Sequence, residues 1–180
     1  MADLLKLKNT FKNYEVRLKE AASKDNFICE SDDKVIYFDE FIKQEWKNYI
    51  EQPAQQPSSF DALKLKGIQE VYCIEFAKNT TIHGEGELKK KFEDSFKILQ
   101  KIFQQNNINH KNLTIRAYVV YEQHAPRHRL SFNIHRNAIE AELKQIKVFN
   151  KILVFVNIKN EAKTHYKKIF NAKNINCFDL

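Results

Sequence analysis

The sequence of 180 residues has only three glycines and three prolines, which leaves little material for linkers or irregular segments. With no internal repeat in view, this length predicts a single domain over residues 1–180. The longest apolar run, Ile152 to Val156, is far too short to cross a bilayer, and the amino-terminal residues form no signal-peptide core. We therefore expect no membrane partner.

The three cysteines, Cys29, Cys73 and Cys177, are also few, and they are scattered without the spacing of a metal site. Reduced thiols in a cytoplasmic protein are the expectation. A P-loop, a dinucleotide fingerprint and a nucleophile elbow are all missing from the sequence. Their absence argues against nucleotide-driven functions and against hydrolysis by an activated serine.

Apolar and basic residues are abundant. The chain is 43% hydrophobic and 12% aromatic, as expected of a protein with a folded core. Its 30 Lys and Arg residues exceed its 23 Asp and Glu residues, for a net charge of +7. Such a balance favours a polyanionic partner such as nucleic acid. Lysine-rich compositions also arise from genome bias, so charge alone does not decide the function.

Hydrophobic periodicity predicts helices alternating with strands, and thus an α/β fold with a mixed sheet. One helix is expected over Asp3 to Ala22, a second over Asp39 to Glu51 with Asp39 as its N-cap, and a third from Gly86 or Glu87. A basic loop or strand edge is expected over 124–132. The other predicted elements are hairpins at 26–38 and 58–79, strands at 113–121, 151–158 and 175–178, and helices at 137–149 and 161–171.

The second hairpin, "SSFDALKLKGIQEVYCIEFAKN", carries two carboxylates in what should be the middle of the sheet. Unless a bulge near the turn shifts the pairing, a register centred on Ile68 gives three pairs: Leu65 with Val71, Leu63 with Cys73, and Asp61 with Glu75. Two like charges directly opposite each other destabilise a hairpin unless a cation lies between them.

Oxygen-only ligands of this kind suit a hard divalent cation such as Mg²⁺, or Mn²⁺. The sequence therefore predicts a metal site at Asp61 and Glu75. A structural interpretation stays open beside it, in which Asp61 caps the serine-rich loop and Glu75 lies in water at a strand end.

A strand bearing Asp, a turn, and a strand that ends in an acid and a lysine resemble the PD-(D/E)XK nuclease superfamily. The resemblance covers about residues 39–121 and implies a restriction-endonuclease-like fold, a central mixed sheet flanked by helices. It also implies that Asp61 and Glu75 bind the metal, with the backbone carbonyl of Phe76 as a third ligand. The activity implied is hydrolysis of phosphodiester bonds.

The chain departs from the superfamily pattern where the lysine should stand. That position, two residues after the acid, is Ala77, and Lys78 is one step too far along the strand. Three interpretations stay open. A bulge could bring Lys78 into the site, or another basic residue, such as one on the helix from Glu87, could replace it. The favoured interpretation is a catalytically disabled variant in which Ala77 stands in place of the active-site lysine.

Further acids and bases are candidates for the same site. Glu45, or Glu40, on the preceding helix could add a metal ligand, although a solvated helix charge is the commoner role. His83, Glu85 and Glu87 follow the second strand closely in sequence. The residues predicted to contact the nucleic-acid backbone are Lys89, Lys90, Arg127, Arg129 and Arg136.

These observations favour a metal-dependent endonuclease that acts on DNA rather than RNA, in restriction or defence. A toxin-like RNase, a nucleic-acid-binding protein without catalysis, and a protein-interaction module remain alternatives. Cutting both strands of a palindromic site would require a homodimer, which one chain does not reveal.

Overall fold

Six strands form one mixed sheet in the computed structural model of the chain, which describes residues 2–23, 33–50, 55–77, 86–121 and 129–156. The strands lie side by side in sequence order. The first three pairs of neighbouring strands are antiparallel, and the last two pairs are parallel. They are β1 (Glu15–Arg17), β2 (Lys34–Tyr37), β3 (Ala62–Lys66), β4 (Glu70–Ala77), β5 (Thr114–Tyr121) and β6 (Lys151–Val156).

Five α-helices lie in the described ranges, together with short 3-10 turns at Lys12–Tyr14, Trp46–Asn48 and His110–Asn112. None of the helices in these ranges is both long enough and apolar enough to cross a bilayer. The helices are α1 (Ala2–Thr10), α2 (Leu18–Ser23), α3 (Phe38–Glu45), α4 (Glu87–Gln105) and α5 (Arg129–Lys144). An α/β architecture with a mixed sheet is confirmed.

The hairpin of β3 and β4 has the predicted register. Leu65 pairs with Val71 and Leu63 pairs with Cys73, without a bulge between them. The turn contains Gly67 at a φ of +63°, a conformation that side-chain-bearing residues rarely adopt. The glycine in the sequence therefore marks the turn, and the turn sets which side chains share a face.

The main hydrophobic core lies between one face of the sheet and α1, α3, α4 and the end of α5. The helix α4 buries the whole of its predicted apolar stripe, and burial of each such side chain stabilises the fold by about 1.5–3 kcal/mol. That stripe is Leu88, Phe92, Phe96, Leu99 and Phe103. From the sheet, the same core receives Leu63, Val71, Cys73, Ala117 and Val119.

The prediction of one helix over Asp3 to Ala22 is wrong. The helix α1 ends at Thr10, and the chain forms a 3-10 turn and the strand β1 before α2 begins. Pairing of β1 with β2 favours the extended conformation at Glu15–Arg17, and local spacing cannot reveal that long-range contact. The apolar spacing nevertheless identified buried residues, since Leu7 and Phe11 are inside.

Other predicted boundaries also change. The helix expected from Asp39 to Glu51 begins at Phe38 and gives way to a 3-10 turn after Glu45. The helix expected over 137–149 instead covers Arg129–Lys144. No glycine or proline follows Pro126 in this stretch, so nothing prevents an earlier start of the helix. The end of the expected basic loop is therefore helical. Of the predicted hairpin at 26–38, the strand β2 is confirmed. Its remainder and the elements predicted at 161–171 and 175–178 lie outside the described residues.

Candidate active site

Asp61 and Glu75 lie at the open end of the β3–β4 hairpin, opposite its turn. The ladder continues to Ala62 with Ile74, so the next positions outward on the two chains are Asp61 and Glu75. Both side chains are buried, at 5% and 1% exposure. Burial of two neighbouring carboxylates demands compensating partners. The interpretation that Glu75 is a solvated strand end is wrong.

Asp61 accepts hydrogen bonds from β4 and from the start of α3. Its Oδ2 accepts a hydrogen bond of 2.6 Å from the backbone N–H of Phe76, beyond the last pair of the β3–β4 ladder. Its backbone carbonyl accepts from the N–H groups of Phe38 and Asp39, at 3.0 and 3.3 Å. Asp61 therefore caps α3 with its backbone, and the prediction that Asp39 is the N-cap is wrong.

Glu75 forms an ion pair with Lys91 of α4. The distance from Lys91 Nζ to Glu75 Oε1 is 2.6 Å, and the lysine side chain retains 24% exposure. Lys91 lies one turn before Ser95 and continues a stripe of buried positions at Ser95, Ile98 and Ile102. The helix therefore directs a lysine at the buried acid through its own periodicity.

Two serines hold the chain just before Asp61. The hydroxyl of Ser59 donates to Asp39 Oδ1 at 2.6 Å, while Lys43 Nζ lies 2.6 Å from Asp39 Oδ2. The hydroxyl of Ser95 accepts from the N–H of Phe60 at 3.0 Å. The segment that delivers Asp61 is thus fixed to α3 on one side and to α4 on the other.

Two carboxylates on facing chains fit a hard divalent cation, because Mg²⁺ needs only one or two carboxylates and keeps several waters. The contacts described above use Asp61 Oδ2 and Glu75 Oε1. Glu45 does not join them in these contacts. It accepts hydrogen bonds from the Tyr14 hydroxyl at 2.9 Å and from the Asn48 amide. Within the described ranges, no group of three His, Cys, Asp or Glu residues is arranged to hold a metal.

Ala77, the position expected to be lysine, is the last residue of β4 and pairs with Tyr121 of β5. Phe76 pairs with Val120, and its carbonyl as a metal ligand stays a prediction. The described residues do not include Lys78, His83, Glu85 or Arg127.

The predicted nucleic-acid contacts that are described lie on α4 and α5. Lys89 Nζ contacts Gln145 Oε1 at 2.8 Å, whereas Lys90 is exposed. Arg136 contacts Glu140 one turn along α5, at 3.2 Å, and Arg129 is the first residue of that helix.

In comparisons with known proteins, no family model, curated protein or solved structure matches the chain. Of the site residues, the sequence pointed to the two acids but only in general terms to a lysine on α4. The sequence does place Lys91 at helical spacing from Ser95, Ile98 and Ile102, but that spacing does not reveal Glu75 as its partner.

Proposed function

We propose that this protein is a metal-dependent endonuclease that hydrolyses phosphodiester bonds at a site built from Asp61, Glu75 and Lys91. The observation that carries the proposal is the 2.6 Å ion pair of Lys91 with Glu75. It brings an acid and a lysine together although Ala77 stands where the superfamily pattern has the lysine. Of the three interpretations of that missing lysine, the ion pair supports replacement by a residue of the following helix.

The order of elements supports the same conclusion. An antiparallel hairpin with the two acids at its open end is followed by a helix and then by a strand parallel to β4. This is the arrangement that a restriction-endonuclease-like core requires. The assignment to that fold is part of the proposal, because it rests on topology and on the placement of three side chains.

The chemistry follows from the charges. Asp61 and Glu75 would hold Mg²⁺ or Mn²⁺. The bound cation would polarise the phosphodiester and lower the pKa of a bound water. In this proposal the ammonium group of Lys91 would orient an attacking water and would offset negative charge that develops on the phosphate. Burial strengthens these electrostatic contributions because water screens them less.

The substrate in this proposal is DNA, held through its phosphates by basic residues of α4 and α5 such as Lys90 and Arg136. The net charge of +7 supports a polyanionic substrate without distinguishing DNA from RNA. A role in restriction or defence rests on analogy with other small nucleases of this fold.

A nucleic-acid-binding protein without catalysis is the second candidate, and one observation favours it. Asp61 already has a structural role: its side chain accepts a hydrogen bond from the N–H of Phe76 in β4, and its backbone carbonyl caps α3. In that case Lys91 would only neutralise a buried acid.

Cleavage assays on supercoiled plasmid and on a structured RNA, each with Mg²⁺ or EDTA, separate these candidates. We expect the chain itself to cut DNA with Mg²⁺, Lys91→Met to lose cutting, and Lys101→Met, at an exposed lysine of the same helix, to keep it. Cutting only by Ala77→Lys would establish a nuclease disabled at position 77. Salt-sensitive binding without cutting by any variant would identify the binding protein, and cutting of RNA alone the RNase.

A further inference from the structure

A cavity of about 480 Å³ lies where β5 and β6 begin, whereas Glu75 lies near the end of β4, which runs parallel to β5. The cavity opens between the second half of α4, the 3-10 turn at His110–Asn112 and the segment 146–150. Its volume is that of a small-molecule site. Apolar side chains of Phe96, Leu113 and Ile146 contribute to its walls, and basic side chains of His110, Lys111 and Lys147 also line it.

The charge of this cavity has one sign. None of its described lining residues is acidic. Some lysines elsewhere in the described chain pair with acids, as Lys43 does with Asp39 and Lys97 with Asp94. The ammonium groups of Lys111 and Lys147 make no hydrogen bond or ion pair with any described residue. Two exposed lysines from separate segments therefore line one concave, partly apolar surface.

The backbone around the cavity is held in place. Asn150 exchanges two hydrogen bonds with Ile115, through its side-chain oxygen at 2.7 Å and its backbone N–H at 2.8 Å. The side chain of Asn109 accepts from the N–H of Lys111 at 3.1 Å. The ring of His110 stacks nearly parallel on Phe103, with centroids 6.3 Å apart. A ligand would therefore meet a largely formed site and would order little of the protein on binding.

We infer that this cavity binds a mononucleotide through its phosphate and its base. A phosphate monoester carries nearly two negative charges at neutral pH, which matches the two lysine ammonium groups. The partly exposed Val148 and the exposed edges of Phe96, Leu113 and Ile146 offer the planar base an apolar surface from which water is displaced. The inference stands apart from the proposed nuclease site, because it uses none of that site's residues and needs no metal.

The test is a titration of the ¹⁵N-labelled full chain with AMP in EDTA, followed by amide chemical shifts. We expect saturable shifts at Lys111, Leu113, Lys147 and Asn150, and little change with adenosine or with inorganic phosphate alone. The double variant Lys111→Gln/Lys147→Gln should bind AMP at least tenfold more weakly. Its dispersed spectrum would establish that it is folded. The matched control Lys12→Gln/Lys101→Gln removes two exposed lysines outside the cavity and should bind as the parent does.

Three results would overturn the inference: no saturable shift with AMP, equal binding of adenosine or inorganic phosphate, or unchanged binding by the double variant. The plasmid assay on the same double variant keeps the two proposals separate, since cleavage should persist when AMP binding is lost.

Discussion

Lys91 Nζ lies 2.6 Å from Glu75 Oε1, and only the lysine of this pair reaches solvent. The pair joins α4 to β4. An ammonium group therefore lies where the proposal also requires a metal, beside a buried carboxylate. Lys91 is either a catalytic lysine or a structural counter-ion of Glu75. The outcomes expected below distinguish these two roles.

Replacing Lys91 by Met should lower the free energy of unfolding by about 1–3 kcal/mol, because a buried carboxylate oxygen loses its donor. Plasmid nicking should fall by two orders of magnitude or more, as for loss of a positioned charge at a reacting centre. Urea unfolding and nicking rates measure the two effects. Lys101→Met, at an exposed lysine of the same helix, should change neither. A variant that is destabilised but still nicks DNA at the parental rate would make Lys91 purely structural.

Metal affinity should respond to the same substitution in the opposite direction. The Lys91 ammonium and a divalent cation compete for the charge of Glu75, so we expect Lys91→Met to bind Mn²⁺ several-fold more tightly. Electron paramagnetic resonance of free Mn²⁺ gives the dissociation constant without any cleavage. Glu75→Gln should bind weakly if at all. Weaker Mn²⁺ binding by a folded Lys91→Met would mean that the lysine supports the carboxylate rather than competing for it.

Asp61 can be tested by a pair of substitutions that separate its charge from its hydrogen bond. Asp61→Asn keeps an oxygen for the N–H of Phe76 and should stay folded while Mn²⁺ binding and nicking are lost. Asp61→Ala removes the acceptor as well and should cost about 1–3 kcal/mol of stability. Thermal unfolding compares the two. If Asp61→Asn retains nicking and Mn²⁺ binding, the carboxylate serves only the backbone.

Glu45→Gln should leave Mn²⁺ binding and nicking unchanged, because the Glu45 carboxylate is bonded to Tyr14 and Asn48. The substitution should instead change the pKa of Tyr14. Burial, followed by the hydrogen bond to Glu45, raises the pKa of the Tyr14 hydroxyl to about 12. Loss of the negative charge should lower that pKa, measured from the tyrosine ring carbon shifts during an alkaline titration. A loss of metal affinity would instead restore Glu45 as a ligand.

Alkaline pH should destabilise the fold through Cys73. Complete burial raises the pKa of this thiol above the ordinary cysteine value of about 8.5. The folded state thus retains a proton that the unfolded chain releases. The stabilising contribution is complete below about pH 8.5 and falls by up to about 1.4 kcal/mol per pH unit above it. Urea unfolding from pH 7.5 to 10 should show a steeper decline for the parent than for Cys73→Ala; equal slopes would contradict the expectation.

Local patterns predicted the parts of the fold that are held by local contacts. Turn chemistry at Gly67 and strand alternation were enough for the β3–β4 register, and helical spacing was enough for the buried stripe of α4. The break between Thr10 and Leu18 escaped prediction because a three-residue strand there is stabilised by a partner almost twenty residues away. Lys91 escaped it for a similar reason, since its partner Glu75 lies sixteen residues earlier, on the strand that precedes the helix.

The two halves of the sheet imply an order of assembly. The antiparallel β3–β4 pair closes over a short turn at Gly67, at a small cost in chain entropy. The parallel β4–β5 and β5–β6 pairs each close only after a crossover that contains a helix. We therefore expect the hairpin to be structured in the folding transition state while β6 is not. Substitutions in the hairpin would then slow folding, and those in β6 would mainly speed unfolding.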